Sequence, residues 1–322
     1  MYGRGRGWSP RTPSPFNRVA ANRDGDILRG AALQEGTKTP SSLNDDNNIT
    51  KPQPQSHDPF DICPRPLPTK QTAPTVVLKP SLLVTNRERR KQAAEGGGTG
   101  THSHPLVVTL RPGMILLKKY ISVSEQVTIV EKCRELGRGS GGFYQPGYGD
   151  EEGEGAKLRL KMMCLGKHWD PLSTHYTDHR PSDGAKPPEI PPEFHRFVRE
   201  AMAHADTLHP ITPDICIVNF YSQNGRLGLH QDKDESEESL RQGLPVVSFS
   251  IGDSADFLYG DSRDVDKAKK LLLESGDVLI FGGKSRNVFH GVSAIHPMTA
   301  PNPLLHQTYL RPGRLNLTFR QY

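Results

Sequence analysis

The chain has 322 residues, enough for one large or two small domains; Gly 31, Pro 28 and a hydrophobic share of 34% imply that part of it builds no core. No apolar run approaches the roughly 18–20 residues of a membrane-spanning helix, which predicts a soluble protein with no membrane partner. The formal charge of +5 is uneven, about +6 over residues 1–104 and about −1 over the remainder, so charge alone supports only nonspecific attraction of the front to anionic surfaces. Cys63, Cys133, Cys164 and Cys216 are scattered without a C-x-x-C pair. They fit reduced thiols inside a cell and offer no zinc-finger framework.

Residues 1–104 are rich in proline, open with Gly3-Arg4-Gly5-Arg6-Gly7, and carry the polar run Asn44 to Asn48 and Gly96-Gly97-Gly98. With little periodicity they are expected to form a disordered, basic, Pro/Gly-rich region. Within it, Thr75 to Thr85 has the apolar content of a short docking segment, and Arg87-Glu88-Arg89-Arg90-Lys91 reads as a solvated linker cluster or a nuclear-targeting or phosphate-contacting one. The start is acid-poor up to Arg23, loosely like a transit peptide, but Pro10, Pro13 and Pro15 oppose the helix such a peptide forms. Nucleus and cytoplasm are the expected compartments, ahead of an organelle.

From residue 105 the pattern changes. Leu106–Leu110 and Met114–Leu117 read as strands around the turn Arg111-Pro112-Gly113. Ser122 to Leu136 reads as a helix with Ser124 as N-cap and Gly137 at the C-cap. Residues 137–192, rich in Gly, Pro, His and charge, read as a long functional loop or lid. Pro192 to Ala205 is a second helix. Short strands follow at Ile215–Tyr221, Leu227–Asp232, Pro245–Ile251, Asp256–Tyr259, Asp277–Phe281, Asn287–Val292 and Arg314–Arg320. Helices ahead of many short strands predict an α+β chain with a jelly-roll core.

His230 and Asp232 are two apart on a predicted strand and share a face, and His290 lies on a later strand. Two imidazoles and a carboxylate can take one face of an octahedral metal and leave three positions open, as in non-haem Fe(II) oxygenases. His-x-Asp alone is weak evidence. The last predicted strand strengthens it: Arg314, Asn316, Thr318 and Arg320 point one way, Leu315, Leu317 and Phe319 the other. A buried guanidinium needs a fixed anion, best a carboxylate. The two arginines, about 20 Å apart at strand rise, cannot grip one carboxylate. One is expected to clamp the far end of a dicarboxylic acid and the other to serve its metal end or the metal ligands.

His230-Gln231-Asp232-Lys233-Asp234, Gly282-Gly283-Lys284-Ser285-Arg286 leading to His290, and Arg314-Leu315-Asn316-Leu317-Thr318-Phe319-Arg320 closely resemble the AlkB family of Fe(II)/2-oxoglutarate dioxygenases. Leu271-Leu272-Leu273-Glu274-Ser275-Gly276-Asp277-Val278 and Arg111-Pro112-Gly113 also fit, and the likeness spans roughly residues 106–322. It implies a double-stranded β-helix domain over 105–322, with supporting helices and a nucleotide-recognition lid, behind the disordered 1–104. It implies Fe(II) on His230, Asp232 and His290, and 2-oxoglutarate as cosubstrate: Arg314 on its distal carboxylate, Arg320 at the metal end, Asn316 between them. Asn219 and Tyr221 match the family's Asn-x-Tyr element and suit hydrogen bonds to 2-oxoglutarate; Tyr221 also reads as a plain barrel-wall aromatic.

On the substrate side, Trp169 aligns loosely with an aromatic that stacks on a flipped base, and otherwise reads as a buried anchor. Asp234 matches a contact to the base amine; Arg263 reads equally as a substrate contact or a solvated side chain. His168, His175 and His179 lack a zinc-spaced partner and are not read as a second metal site. The acidic run Gly149 to Glu154 departs from the bacterial pattern and leaves substrate choice open.

The implied reaction is oxidative demethylation of N-methylated bases in unpaired DNA, or RNA, by a monomer that releases formaldehyde, succinate and CO2. N6-methyladenine is favoured over repair of N1-methyladenine and N3-methylcytosine. Demethylation or hydroxylation of a protein side chain, and non-catalytic nucleic-acid binding, are the alternatives.

Overall fold

Two amphipathic helices and the sheet they cover decide where everything else sits. Helix α1 (Val123–Gly137) opens with a capping box in which Ser122 accepts from Glu125 N and the Glu125 side chain accepts from Ser122 N. The cap is therefore Ser122 rather than the Ser124 expected from sequence, because only Ser122 has a glutamate three residues on. The helix continues through Gly137, with Arg138 as C-cap. Helix α2 (Pro192–Met202) starts on a proline, whose missing N–H is no loss in a first turn, and buries Phe194, Phe197, Val198, Ala201 and Met202. The structure is a computed structural model in which residues 58–64, 105–146 and 160–322 are described.

The seven-stranded sheet runs β1-β2-β11-β8-β13-β6-β3, from β1 (Leu106–Arg111) and β2 (Met114–Lys118) at one side to β6 (Ile215–Tyr221) and β3 (Leu160–Gly166) at the other. Its centre is β11 (Val278–Phe281), β8 (Val246–Gly252) and β13 (Arg314–Arg320). A four-stranded sheet, β10-β9-β12-β7, uses Lys269–Leu273, Ser254–Gly260, Phe289–His296 and Leu227–His230. Every named pairing is antiparallel. Two facing antiparallel sheets make a jelly roll, and α3 (Glu237–Gln242) and α4 (Asn302–Thr308) complete the α+β fold.

The alternation seen in β13 does what its sequence implied. Leu315, Leu317 and Phe319 are fully buried against the α2 side, where Phe319 meets Phe194 and Phe249 at ring separations of 6.1 and 4.9 Å. Arg314, Asn316, Thr318 and Arg320 face the cavity between the sheets. The turn between β1 and β2 needs Gly113: its φ is +79°, and a Cβ there would stand 2.3 Å from the Gly282 carbonyl oxygen.

Two expectations are corrected. Residues 137–192 are not one long loop: β3 lies within them, paired to β6 from Leu160↔Tyr221 to Gly166↔Ile215, and β4 (His168–Asp170) pairs with β5 (His175–Thr177). Strand β3 is buried on both faces, so it has no alternation to read. Residues 58–64 were read as part of a disordered front. Ile62 and Cys63 are instead buried in the main core, and Asp61 grips Arg134 of α1 through two 2.8 Å bonds. Seven residues are too few for a period to show. The docking segment Thr75 to Thr85, the cluster Arg87 to Lys91 and the acidic run Gly149 to Glu154 lie outside the described residues. Among the described residues the four cysteines are buried and free, and no helix is long and apolar enough to cross a membrane.

Candidate metal and cosubstrate centre

His230 and His290 are cross-strand partners on β7 and β12, with rings 4.4 Å apart. Strand β7 ends at His230, two residues short of the expected end, and Asp232 turns inward just beyond it. One donor atom from each of the three lies within 4.8 Å of the others.

Backbone carbonyls fix the imidazoles. His230 Nδ1 lies 2.9 Å from Gly228 O and His290 Nδ1 lies 3.1 Å from Val288 O. A carbonyl only accepts, so each Nδ1 carries the proton and each Nε2 offers a lone pair. Those Nε2 atoms lie 3.8 and 3.6 Å from the Asp232 oxygens. Asp232 Oδ2 is buried with no hydrogen-bond donor among the described residues. Three electron-pair donors converge with no proton between them, which fits a cation.

The electrostatics agree. Burial would raise the Asp232 carboxyl, but Arg320 and the two imidazoles hold it well below the usual carboxylate range. Burial, reinforced by His230, pushes His290 down to about 4, so it stays neutral and free to ligate.

Arg314 is the largest fully buried side chain, at 1% exposure. Its Nη2 donates to Ser250 Oγ at 2.7 Å, while Nε and Nη1 have no hydrogen-bond partner among the described residues. Burial lowers its pKa to about 10. A guanidinium with an idle edge turned into a cavity is a ready receptor for a carboxylate. Buried Asp253 fixes its approach, accepting from Gly313 N at 3.0 Å and from Thr299 N and Ala300 N at 2.9 Å. Arg320 has other partners, Asp232 at 2.7 Å and Glu235 at 3.0 Å. The two arginines thus serve different groups, as strand rise required.

One cavity of ≈ 460 Å³ joins the triad to Arg314, Asn219, Tyr221, Asn316 and Arg320. Asn219 and Asn316 are cross-strand partners, as are Tyr221 and Arg314. The Asn316 amide nitrogen is committed to Ser248 Oγ at 2.7 Å and Phe249 O at 2.9 Å, and its oxygen accepts from Thr318 Oγ1 at 3.2 Å, so in this arrangement Asn316 lines the cavity without a donor free for a carboxylate. Trp169, Asp234 and Arg263 line the same cavity. Trp169 Nε1 donates to Asp234 Oδ2 at 2.9 Å, an arrangement the sequence did not suggest. His168 is buried beside Tyr144 rather than near the triad; among the described residues His230, Asp232 and His290 form the one metal-competent group.

Sequence reasoning missed four residues here. Ser248 and Ser250 carried a signal, two serines at period two on an otherwise apolar strand. Glu235 and Arg286 form an ion pair at 2.8 Å buried beside the triad; Arg286 stood in a motif of the resemblance, but nothing signalled the pairing, because it spans two loops.

Residues 113–320 match the family model of the 2OG-Fe(II) oxygenase superfamily. The chain is also 31% identical over 236 residues to an alpha-ketoglutarate-dependent dioxygenase AlkB homolog of Caulobacter vibrioides, covering 72% of this chain and 96% of that one. The chain belongs to the AlkB family. Among its AlkB relatives is the DNA N(6)-methyladenine demethylase ALKBH1C of Arabidopsis thaliana, 60% identical over 261 residues, which are 77% of this chain and 54% of that protein. The chain therefore spans little more than half the length of that relative. The solved structure of OsALKBH1 superposes with a TM-score of 0.64 at 58% identity, covering 67% of this chain and all of that one. This AlkB fold has the two histidines of the metal-competent triad on its smaller sheet, Asp232 just beyond β7, and the idle guanidinium of Arg314 on its larger sheet.

Proposed function

We propose that the chain is an Fe(II)- and 2-oxoglutarate-dependent oxidative demethylase of N-methylated bases in DNA, with N6-methyladenine as the preferred lesion. One observation carries the reading: a two-histidine, one-carboxylate cluster, with Asp232 and His290 buried and His230 partly exposed, opens into the same cavity as a fully buried arginine whose Nε and Nη1 lack partners among the described residues. A cation site beside an unmatched receptor for an anion suits a metal chelated by one end of a diacid. The name of ALKBH1C, a DNA N(6)-methyladenine demethylase, supports the choice of base.

His230, Asp232 and His290 would hold the metal; when bound, iron would couple oxidation of an N-methyl group to the oxidative decarboxylation of 2-oxoglutarate, one O2 supplying one oxygen atom to the methyl and one to succinate, with release of CO2. The chain's own residues position the reactants and exclude water. Arg314, backed by Ser250, fixes the distal carboxylate, while Asn219, Tyr221 and Asn316 line the path to the metal. Arg320 orients Asp232. Leu160, Met162, Leu227 and Val292 give the cavity apolar walls.

A methyl on a base edge is out of reach inside a duplex, so the base enters unpaired or flipped. Trp169 then offers it a stacking face, Asp234 accepts from its amine, and Arg263 meets the flanking strand. The hydroxymethyl product loses formaldehyde and leaves the free amine.

The test is formaldehyde release from oligonucleotides carrying N6-methyladenine, N1-methyladenine or N3-methylcytosine, in DNA and RNA, beside a methyl-lysine peptide. Release from N6-methyladenine DNA that stops when Fe(II) or 2-oxoglutarate is omitted supports the proposal. Release from the peptide alone, or from no substrate, overturns it.

A further inference from the structure

We propose that Glu235 and Arg286 set how tightly the triad holds its metal, by dividing Arg320 between two carboxylates. The proposal rests on the triad being the metal site, and it assigns a role to two residues that touch neither metal nor substrate.

Four charged side chains lie in sequence beside the site. Asp232 Oδ1 is 2.7 Å from Arg320 Nη2; Arg320 Nε is 3.0 Å from Glu235 Oε1; Glu235 Oε2 is 2.8 Å from Arg286 Nη2. Arg286 closes the ring by donating Nη1 to the backbone carbonyl of Asp232. Side-chain exposure is 7% for Asp232 and Arg320, 1% for Glu235 and 4% for Arg286. Two positive and two negative charges are thus shut away from water together.

The geometry explains why four are present and not two. Asp232 must ligate, so its charge cannot be spent wholly on Arg320. Glu235 takes the Nε edge of that guanidinium and leaves only Nη2 on Asp232 Oδ1, with Oδ2 unpartnered among the described residues and 3.6 Å from His290 Nε2. Both contacts to Glu235 stand at ion-pair distance without hydrogen-bond alignment, so they act as charges more than as directed bonds. Arg286 opposes Glu235, weakening its hold on Arg320, and ties down the turn after β7 that carries Asp232. In a site with little water, removing one member alters the potential at the metal strongly.

The two middle members therefore push in opposite directions. Without the Glu235 charge, Arg320 falls fully on Asp232 and the site loses one negative charge, so cation binding weakens. Without the Arg286 charge, Glu235 draws Arg320 away and the site loses a positive charge, so cation binding strengthens. A merely structural pair would weaken binding in both cases.

The experiment is calorimetric titration of the metal-free protein with MnCl2, without 2-oxoglutarate, for the parent, Glu235→Gln, Glu235→Asp, Arg286→Met and the double variant Glu235→Gln/Arg286→Met. The expected results are about tenfold weaker binding in Glu235→Gln, partial recovery in Glu235→Asp, tighter binding in Arg286→Met, and a double variant close to the parent. If Arg286→Met does not fold, the Glu235→Gln and Glu235→Asp comparison decides alone. Equal weakening in both Glu235 variants, weakening in Arg286→Met, or no change in any variant overturns the proposal. A parent that takes up no Mn(II), or a His290→Ala control that binds it equally well, refutes the metal site itself and so the function proposed above.

Discussion

Replacing Arg314 with leucine separates two effects of opposite sign. In the ligand-free protein, burial brings the guanidinium from its ordinary 12.5 to about 10. That displacement disfavours the charged form by about 3 kcal/mol. Leucine removes this penalty but leaves a small void and frees the Ser250 hydroxyl, costing about 1–3 kcal/mol together. The melting temperature of the ligand-free variant is therefore expected to equal or exceed the parent's. The cosubstrate behaves otherwise, because its distal carboxylate would then be buried without a counter-ion. That loss is on the order of 3–5 kcal/mol, and its lower bound already means more than about a hundredfold in affinity. The assay is the 2-oxoglutarate KM from succinate formation on a methylated oligonucleotide, with the 2-oxoglutarate-induced thermal shift in MnCl2 as a turnover-free check. At a hundredfold excess over Kd the parent gains about 2.7 kcal/mol, and the variant should gain almost nothing at the same concentration. An unchanged 2-oxoglutarate requirement in Arg314→Leu would refute the assignment of Arg314 to the cosubstrate.

Trp169→Ala removes a cavity wall and the partner of Asp234. It should raise the KM for methylated single-stranded DNA by about five- to 150-fold, at the 1–3 kcal/mol of a lost base stack, with the 2-oxoglutarate KM unchanged; a parallel rise in both would assign Trp169 to packing. Asp61→Asn should destabilise the protein by about 2 kcal/mol at neutral pH in urea unfolding, through loss of its two-pronged charged bond to Arg134. The Arg134 guanidinium holds the folded Asp61 pKa at about 2 against an ordinary 3.8, so this contribution is complete above pH ~4. It is lost as pH falls through about 2, and the gap between parent and variant should close on acidification. Binding of a methylated single-stranded oligonucleotide should weaken steeply with added salt, as release of phosphate counter-ions demands; a flat salt profile would argue for a peptide substrate.

The parts of the fold legible in the sequence were those where one face is wet or lines the cavity. Strand β13 alternates because its arginines and amide must reach the cavity while its leucines meet α2, and that difference is written at period two. Strand β3 is flanked by apolar groups on both sides, so it carried no period and was absorbed into a loop. The metal ligands were legible because the chemistry restricts residue type: imidazoles on two paired strands and a carboxylate just past the end of one of them. The Glu235–Arg286 pair was not, since any surface glutamate and arginine look alike until folding shuts them away together. The docking of Asp58 to Pro64 escaped for a related reason. Its worth lies in Ile62 and Cys63 entering a core built elsewhere and in the Ile62 carbonyl accepting from Arg311 N at 2.7 Å.

The central claim is that three side chains distant in sequence hold one ion with a keto-diacid beside it. Anaerobic equilibrium dialysis with Fe(II) and labelled 2-oxoglutarate tests it most directly. The expected result is one ion and one 2-oxoglutarate per chain, with 2-oxoglutarate retained only when metal is present and both lost in His290→Ala. A His290→Ala chain that keeps one Fe(II) at the parent's affinity would contradict it.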